Sequence, residues 1–414
     1  MASNDTDVVI IGAGAAGIAA GRRITEARLH CVVVEARSRL GGRAWTFNPH
    51  SACSIDLGCG WLHSADRNPW RELAEVQDRS IDKTPPPWMR PSTPIGFSPS
   101  EQAAFLQAHR EFYQRLDSFP DKKPDVAAAS FLEPLGRWNA LINAVSTYVS
   151  GAELDRVSAR DFLRYEDSGV NWRVVEGYGT VIVAHGRGLP VVLGCPVQLI
   201  DHSGRRLRVE TRHGSITADA AIVTIPSALI AEENILFTPR LPEKTQAALG
   251  LPLGLADKLF LSLSHAEEFD KESRLFGRTD RSETGVYHFR PFGRSQIEAY
   301  FGGRLASQLE ASDDVGFLDF AVSELVALLG SNFARRVKLL KLKRWGTDPF
   351  SRGSYSYALP GKADCRAELA APVEDRLFFA GEACSRGDYS TAHGAYLSGV
   401  AAAEAVIAAR KISR

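Results

Sequence analysis

The sequence predicts an α/β fold, and three observations predict it. A short β-branched run, "DVVII", leads straight into a glycine-rich turn and an alanine-rich helical stretch. A second run, "CVVVEA", ends on an acid. Strand-like blocks of the same kind, "AAIVTIP" and "RLFFAG", return far along the 414-residue chain. Short apolar runs bounded by glycine or proline are the sequence form of parallel strands buried on both faces. Taken in order, Val8 to Ile11 reads as the first strand. Gly12, Gly14 and Gly17 then form a GxGxxG. Gly12 suits the tight turn, Gly14 lets a pyrophosphate approach the backbone, and Gly17 lets helix and strand pack closely. A helix from Ala15 to about Arg28 points its N-terminus, with Ala15 and Ala16, at the phosphates. The second strand ends at Glu35, placed to accept hydrogen bonds from ribose hydroxyls, with Ala36 and Arg37 beside it. The stretch is read as a dinucleotide site.

The cofactor signals come in three pieces. The first runs to about residue 71. The second covers 171–250, where residues 202–205 and 212–215 look like turns between alternating strands and Pro226 stops a buried one; the third, 348–414, is a strand, a loop and a closing helix. Two insertions separate them. Residues 72–170 carry a proline-rich loop and helical patterns such as "PSEQAAFLQAHREFYQRL" and "PLGRWNALINAVSTYV". Residues 251–347 mix strands ("KLFLSLS", "GVYHF", "IEAYFGG") with a helix near "DVGFLDFAVSELVALLG". The expected division is therefore a three-segment dinucleotide domain and an inserted α+β substrate domain.

Composition removes several function classes. The chain is 44% hydrophobic and 24% charged, an ordinary globular balance, and its 49 basic residues equal its 49 acidic ones, so no charge excess points to nucleic acid or an anionic membrane. The apolar stretch from Val8 to Gly21 is too short to span a bilayer and follows Asp5 and Asp7, so neither anchor nor signal peptide is expected and the cytoplasm is the expected compartment. Six cysteines without CxxC spacing indicate neither a disulfide framework nor a zinc site, and no HExxH or GxSxG is present. No metal is expected. Oligomeric state is not legible.

Five blocks carry a resemblance: "VVIIGAGAAGIAA", "VVVEARSRLGGR", "IDLGCGWLHSADRNPW", "RGSYSYALPG" and "LFFAGEACS" with "STAHGAYLSG". In this order they resemble the flavin-dependent amine oxidase family, which includes monoamine oxidases, polyamine oxidases and flavin histone-lysine demethylases; "WLHSADRNP" and "YSTAHGAYLSG" are most similar to the versions in spermine and acetylpolyamine oxidases. The resemblance implies a Rossmann-like domain of the glutathione-reductase type that binds FAD rather than NAD. It puts Gly41, Gly42 and Arg43 along the pyrophosphate and ribityl chain, and Glu382, after Gly381, on the ribityl chain. Gly58, Gly60, Trp61, Val197, Thr391 and Ala392 complete the implied cofactor wall. Ser354 stands where some monoamine oxidases have the cysteine that bonds the flavin, so the FAD is expected to be non-covalent.

For the amine end the resemblance implies four residues. Lys258 is the odd residue in the apolar strand "ADKLFLSL", and the matching family lysine holds a water near flavin N5; the flavin edge and that water are expected to offset the cost of its buried charge. Tyr355 matches the ring that flanks the amine. His63 aligns with a histidine at the substrate amine, where it would accept a proton or serve as a satisfied core residue. Thr391 stands where a second cage ring is usual, with Tyr389 or Tyr396 as replacements. The implied reaction is oxidation of an amine C–N bond by hydride transfer to flavin N5, imine hydrolysis, and reduction of O2 to hydrogen peroxide. Three alternatives stay open: an L-amino acid oxidase, for which Arg290, Arg294 and Arg352 are available as carboxylate clamps; a flavin-dependent desaturase; and a scaffold that keeps FAD for stability.

Overall fold

In the computed structural model, which describes residues 5–50, 53–120 and 123–412, the first apolar run is the strand Asp5–Ile11, inside an eight-stranded sheet. It pairs in parallel with Cys31–Val34 on one side and Gly214–Val223 on the other. Both faces of this strand are covered, which is why it shows no polar alternation. Val8 and Ile10 pack under the helices Ala15–Glu26 and Ala392–Ile412, whereas Val9 and Ile11 join a second core with Ala247, Ala248 and Leu369. The first helix stops at Glu26, short of the expected Arg28, which takes a left-handed turn at φ 59°.

The long strand Gly214–Val223 joins the separated pieces. Its first half closes a hairpin with Leu207–Thr211, and its last three residues pair in parallel with Leu377–Phe379 from near the C-terminus. A five-stranded antiparallel sheet is built from Ser273–Phe276, Val286–Phe289, Gln296–Gly302, Ala256–Leu263 and Val337–Lys343, in that spatial order. One face buries Leu259, Leu261, Ala299 and Phe301 against the helices Gly303–Ser312 and Asp314–Leu329. The two-residue period of a strand then sends Lys258, Glu298 and Tyr300 to the opposite face.

Helix Pro99–Asp117 starts at a capping box, Ser98 with Glu101, and helix Asn139–Ser150 ends at Gly151, left-handed at φ 69°. Both contribute to an aromatic cluster with Phe97, Phe105, Phe112 and Trp138, which also takes in Phe276 from the five-stranded sheet. Cys31, Cys59, Cys195, Cys365 and Cys384 are free thiols; the Cys53 side chain lies outside the described residues. Among the described residues no group of histidines, cysteines and acids could hold a metal, and no helix is long and apolar enough to cross a membrane.

Candidate active site

A cavity of about 1200 Å³ reaches from the glycine-rich turn to the open face of the five-stranded sheet. At the first end the walls are backbone. Gly12 takes φ 103°, and a Cβ there would meet the Thr224 hydroxyl at 2.7 Å; at Gly14 a Cβ would find only Gly42, at 3.9 Å. The second glycine pair closes on the first, with Gly41 N–H donating to the Ala13 carbonyl at 2.8 Å. Ala15, Ala16, Ala36 and Arg37 line the same end. Gly17 does not. It sits behind the turn, where a Cβ would lie 1.9 Å from the Gly12 carbonyl oxygen, so its part is to let helix and strand touch.

The acids of this end are partly used by the protein. Glu35, buried, accepts from the Ala13 and Arg37 N–H groups at 2.7 and 2.8 Å, which closes the turn and leaves lone pairs toward the cavity. Arg37 donates to Asp348 at 2.7 Å, linking the first and third pieces of the chain. Arg43 donates to Glu382 at 2.9 Å and to the Ser354 carbonyl at 2.8 Å. Burial would raise the Glu382 pKa, but Arg43, Ser356 and Arg366 outweigh it and hold the carboxylate below its usual range. Gly58, Gly60, Trp61, Val197, Gly381 and Ala392 also line the cavity. A glycine cradle open at Gly14, a buried acid beside it and an Arg43–Glu382 pair fit an extended diphosphate-linked dinucleotide.

At the other end the walls are side chains. Lys258 Nζ meets Glu298 Oε1 at 2.9 Å and donates to the Asp56 carbonyl at 3.2 Å. The sequence reading did not foresee this partner: a carboxylate on the neighbouring strand offsets the burial of the ammonium. Burial would lower the Lys258 pKa, but Glu298, Tyr300 and Asp56 raise it above normal, so it stays charged. Burial works against the Glu298 carboxylate too, and Lys258 and His288 reverse that, holding it far below the usual range. The turn Gly58–Gly60 lies directly against this pair; a Cβ on Gly60 would be 3.3 Å from Lys258 Nζ.

Tyr355 donates to the Tyr148 carbonyl at 2.5 Å, and its hydroxyl is 3.3 Å from that of Tyr300. The aromatic neighbour of Tyr355 is thus Tyr300, which the sequence reading missed. Tyr396 is turned away, packed on Trp70 and His185, and Tyr389 lies under the Arg366 guanidinium with its hydroxyl on the Asp161 carbonyl. Thr391 lines the cavity, but its hydroxyl caps the last helix, donating to the Asp388 carbonyl and accepting from Gly394 N–H. His63 Nδ1 donates to Asn171 Oδ1 at 2.6 Å, and burial pushes its pKa down, so Nε2 is left as a neutral acceptor. None of the three arginines named as clamps is free: Arg290 is on the Phe269 carbonyl, Arg294 on those of Ser54 and Val175, and Arg352 is paired with Glu232. Besides Tyr300, the site residues missed are Glu298, Tyr148 and Asn171. Glu298 and Tyr300 had a signal, two polar groups two apart in the apolar strand "QIEAYFG".

Comparison with known proteins agrees with this geometry. Residues 100–407 match the family model described as flavin containing amine oxidoreductase, and residues 10–75 match an NAD(P)-binding Rossmann-like domain. Polyamine oxidase 4 of Oryza sativa subsp. japonica is 27% identical over 96% of this chain and 88% of its own. Lysine-specific histone demethylase 2 of Homo sapiens is 26% identical over 98% of this chain and 54% of its own. A redesigned putrescine oxidase shares the fold, with a TM-score of 0.76 at 18% identity over 98% of this chain and 99% of that one. The chain belongs to the flavin-containing amine oxidoreductases, a mixed α/β enzyme with a Rossmann-like domain and FAD as its cofactor.

Proposed function

We propose that the protein oxidises the C–N bond of a primary or secondary amine carried on an extended chain of polyamine-like length, with O2 as electron acceptor and an imine and hydrogen peroxide as products. The observation that carries this reading is a charged lysine, Lys258, facing a tyrosine-walled cavity continuous with the dinucleotide cradle. Bound FAD supplies hydride acceptance at N5 and the return of electrons to oxygen. Residues 1–71, 171–250 and 348–414 would hold it, and 72–170 and 251–347 would shape the amine arm. Ser354 exchanges hydrogen bonds with the Ala256 backbone and offers no thiolate, which supports a non-covalent cofactor.

The chain's own groups have distinct tasks in this reading. The rings of Tyr355 and Tyr300 exclude water and flank the amine. His63 Nε2 accepts a proton from an arriving ammonium, because hydride loss needs a neutral nitrogen. Lys258 keeps its charge; two of its three N–H donors are taken by Glu298 and Asp56, and the third is left for a water at the cofactor edge. The free thiols are in keeping with a reducing, cytoplasmic setting. A panel of amines mixed with the FAD-loaded protein tests the reading. Bleaching of the flavin without oxygen, and peroxide on its admission, is the expected result. A protein that holds FAD and is bleached by no amine overturns it.

A further inference from the structure

The open face of the five-stranded sheet carries one charge that the amine chemistry does not use. Strand pairing sets Arg274 opposite His288 and His288 opposite Glu298; the adjacent row is Phe276, Val286, Tyr300 and Lys258. Residues directly opposite in antiparallel strands share a face. Arg274 and Lys258 therefore look into one cavity from strands three spacings apart, about 14 Å at roughly 4.8 Å per strand.

Near Lys258 the charges cancel in sequence. Lys258 pairs with Glu298, and His288 stands between Glu298 and Glu272, 3.8 and 2.7 Å from them. Arg173 then pairs with Glu272 at 2.7 Å and with Asp82 at 2.6 Å. Arg274 is outside this chain. Its Nε donates to Ser92 Oγ at 3.1 Å and its guanidinium lies 4.9 Å from the Phe276 ring centre, but among the described residues no carboxylate is within ion-pair distance of it. Burial pushes its pKa down to about 10, which still leaves it cationic at neutral pH. His109, from helix Pro99–Asp117, also lines this end and is held neutral by its burial and by the Arg274 charge. The arm's other acids, Asp117 and Asp167, are exposed at its rim.

A half-buried guanidinium without a counter-ion is costly unless a ligand supplies one, and its planar fork matches a carboxylate. A second ammonium, as in a polyamine, would be repelled there. We propose that Arg274, assisted by His109, receives a carboxylate at the far end of the substrate, which is then a long-chain amino carboxylate with amine and acid at opposite ends. This inference rests on the amine-oxidation reading and narrows its substrate class.

The test uses the FAD-loaded protein and ω-amino carboxylates of graded length, each set beside its methyl ester and the diamine of equal length. Anaerobic flavin bleaching should favour the acid over the ester by about tenfold or more at the best length, expressed mainly in KM. Arg274→Gln should abolish that ratio, Arg274→Lys retain part of it, and Arg274→Glu turn the preference toward the diamine. Calorimetry with an alkyl carboxylate lacking the amine should show binding about tenfold weaker in Arg274→Gln. Equal rates for acid and ester in the parent, or a ratio unmoved by these substitutions, overturn the proposal, and the parental comparison needs no variant to fold. Should no amine bleach the flavin, amine oxidation fails as a reading, while carboxylate binding by calorimetry still decides the role of Arg274.

Discussion

The two ends of the cavity are built from different material. At the dinucleotide end the wall is main chain, made by glycines whose missing Cβ atoms are the feature; its acid Glu35 is held by the Ala13 and Arg37 N–H groups, and its arginine Arg43 by Glu382 and the Ser354 carbonyl. At the amine end the wall is side chain, contributed by Trp61, His63, Tyr148, Asn171, Lys258, Glu298, Tyr300 and Tyr355, and it is held together by buried charges. The first end should fail when atoms are added and the second when charges are removed.

The largest expected effect is on the charged end. Glu298→Ala leaves the Lys258 ammonium buried with only a carbonyl acceptor, at a cost of about 3–5 kcal/mol in a denaturant titration. The double variant Lys258→Met/Glu298→Gln should recover most of that. Acid should reveal the same network. The carboxyl pKa of Glu298 is depressed in the fold, and that of Glu272 is lowered to about 2 because His288 and Arg173 overcome the effect of burial. Their stabilisation is present above an unfolded value of about 4.3 and lost as pH falls through the folded one. Parental stability should therefore decline from roughly pH 4.5 toward pH 2, less steeply in the double variant. Equal slopes would mean that Glu298 contributes nothing to the decline.

Next comes the main-chain end. Gly17→Ala adds one methyl 1.9 Å from the Gly12 carbonyl oxygen, and backbone cannot step aside. About 1–3 kcal/mol of stability should go, together with much of the bound FAD; full FAD content at parental stability would show that the turn is softer than its geometry implies. A smaller effect separates charge balance from chemistry. Lys258→Met alone strips Glu298 of its strongest partner, so its slowed turnover would mix folding with function. Comparison of Lys258→Met/Glu298→Gln with Glu298→Gln removes that ambiguity. Loss of at least about tenfold, or 1.4 kcal/mol, in either flavin reduction or reoxidation is expected. The least effect is at His63. Turnover should rise from acid toward alkaline pH as the amine loses its proton, and His63→Ala should reshape the acid limb rather than scale the curve. Parallel profiles would leave His63 a packing residue.

How much of this was legible follows the same division. GxGxxG and Glu35 lie within one short stretch of chain, so spacing placed them; the family resemblance added the second glycine pair, and Gly17 sits behind the turn rather than on the cavity wall. Lys258 was visible because it interrupts an apolar strand. Its partner was not: Glu298 is forty residues on, and it meets Lys258 only because the strands Ala256–Leu263 and Gln296–Gly302 pair in one particular register. A slip of one residue would turn Glu298 and Tyr300 into the apolar core. Thr391 was read as standing where a second cage ring is usual, and what the sequence did not show is that its hydroxyl also caps the last helix.

The sequence by itself determined the glycine turn of the dinucleotide cradle and the acid at its edge, because backbone recognition depends on residues close together in the chain. Only the tertiary structure decided which charges are compensated. Lys258 has its acid and Arg274, among the described residues, has none, although both look into one cavity. Coulomb energy at a buried site depends on distance in space and on what water is excluded, and neither can be read along the chain until the strands have paired.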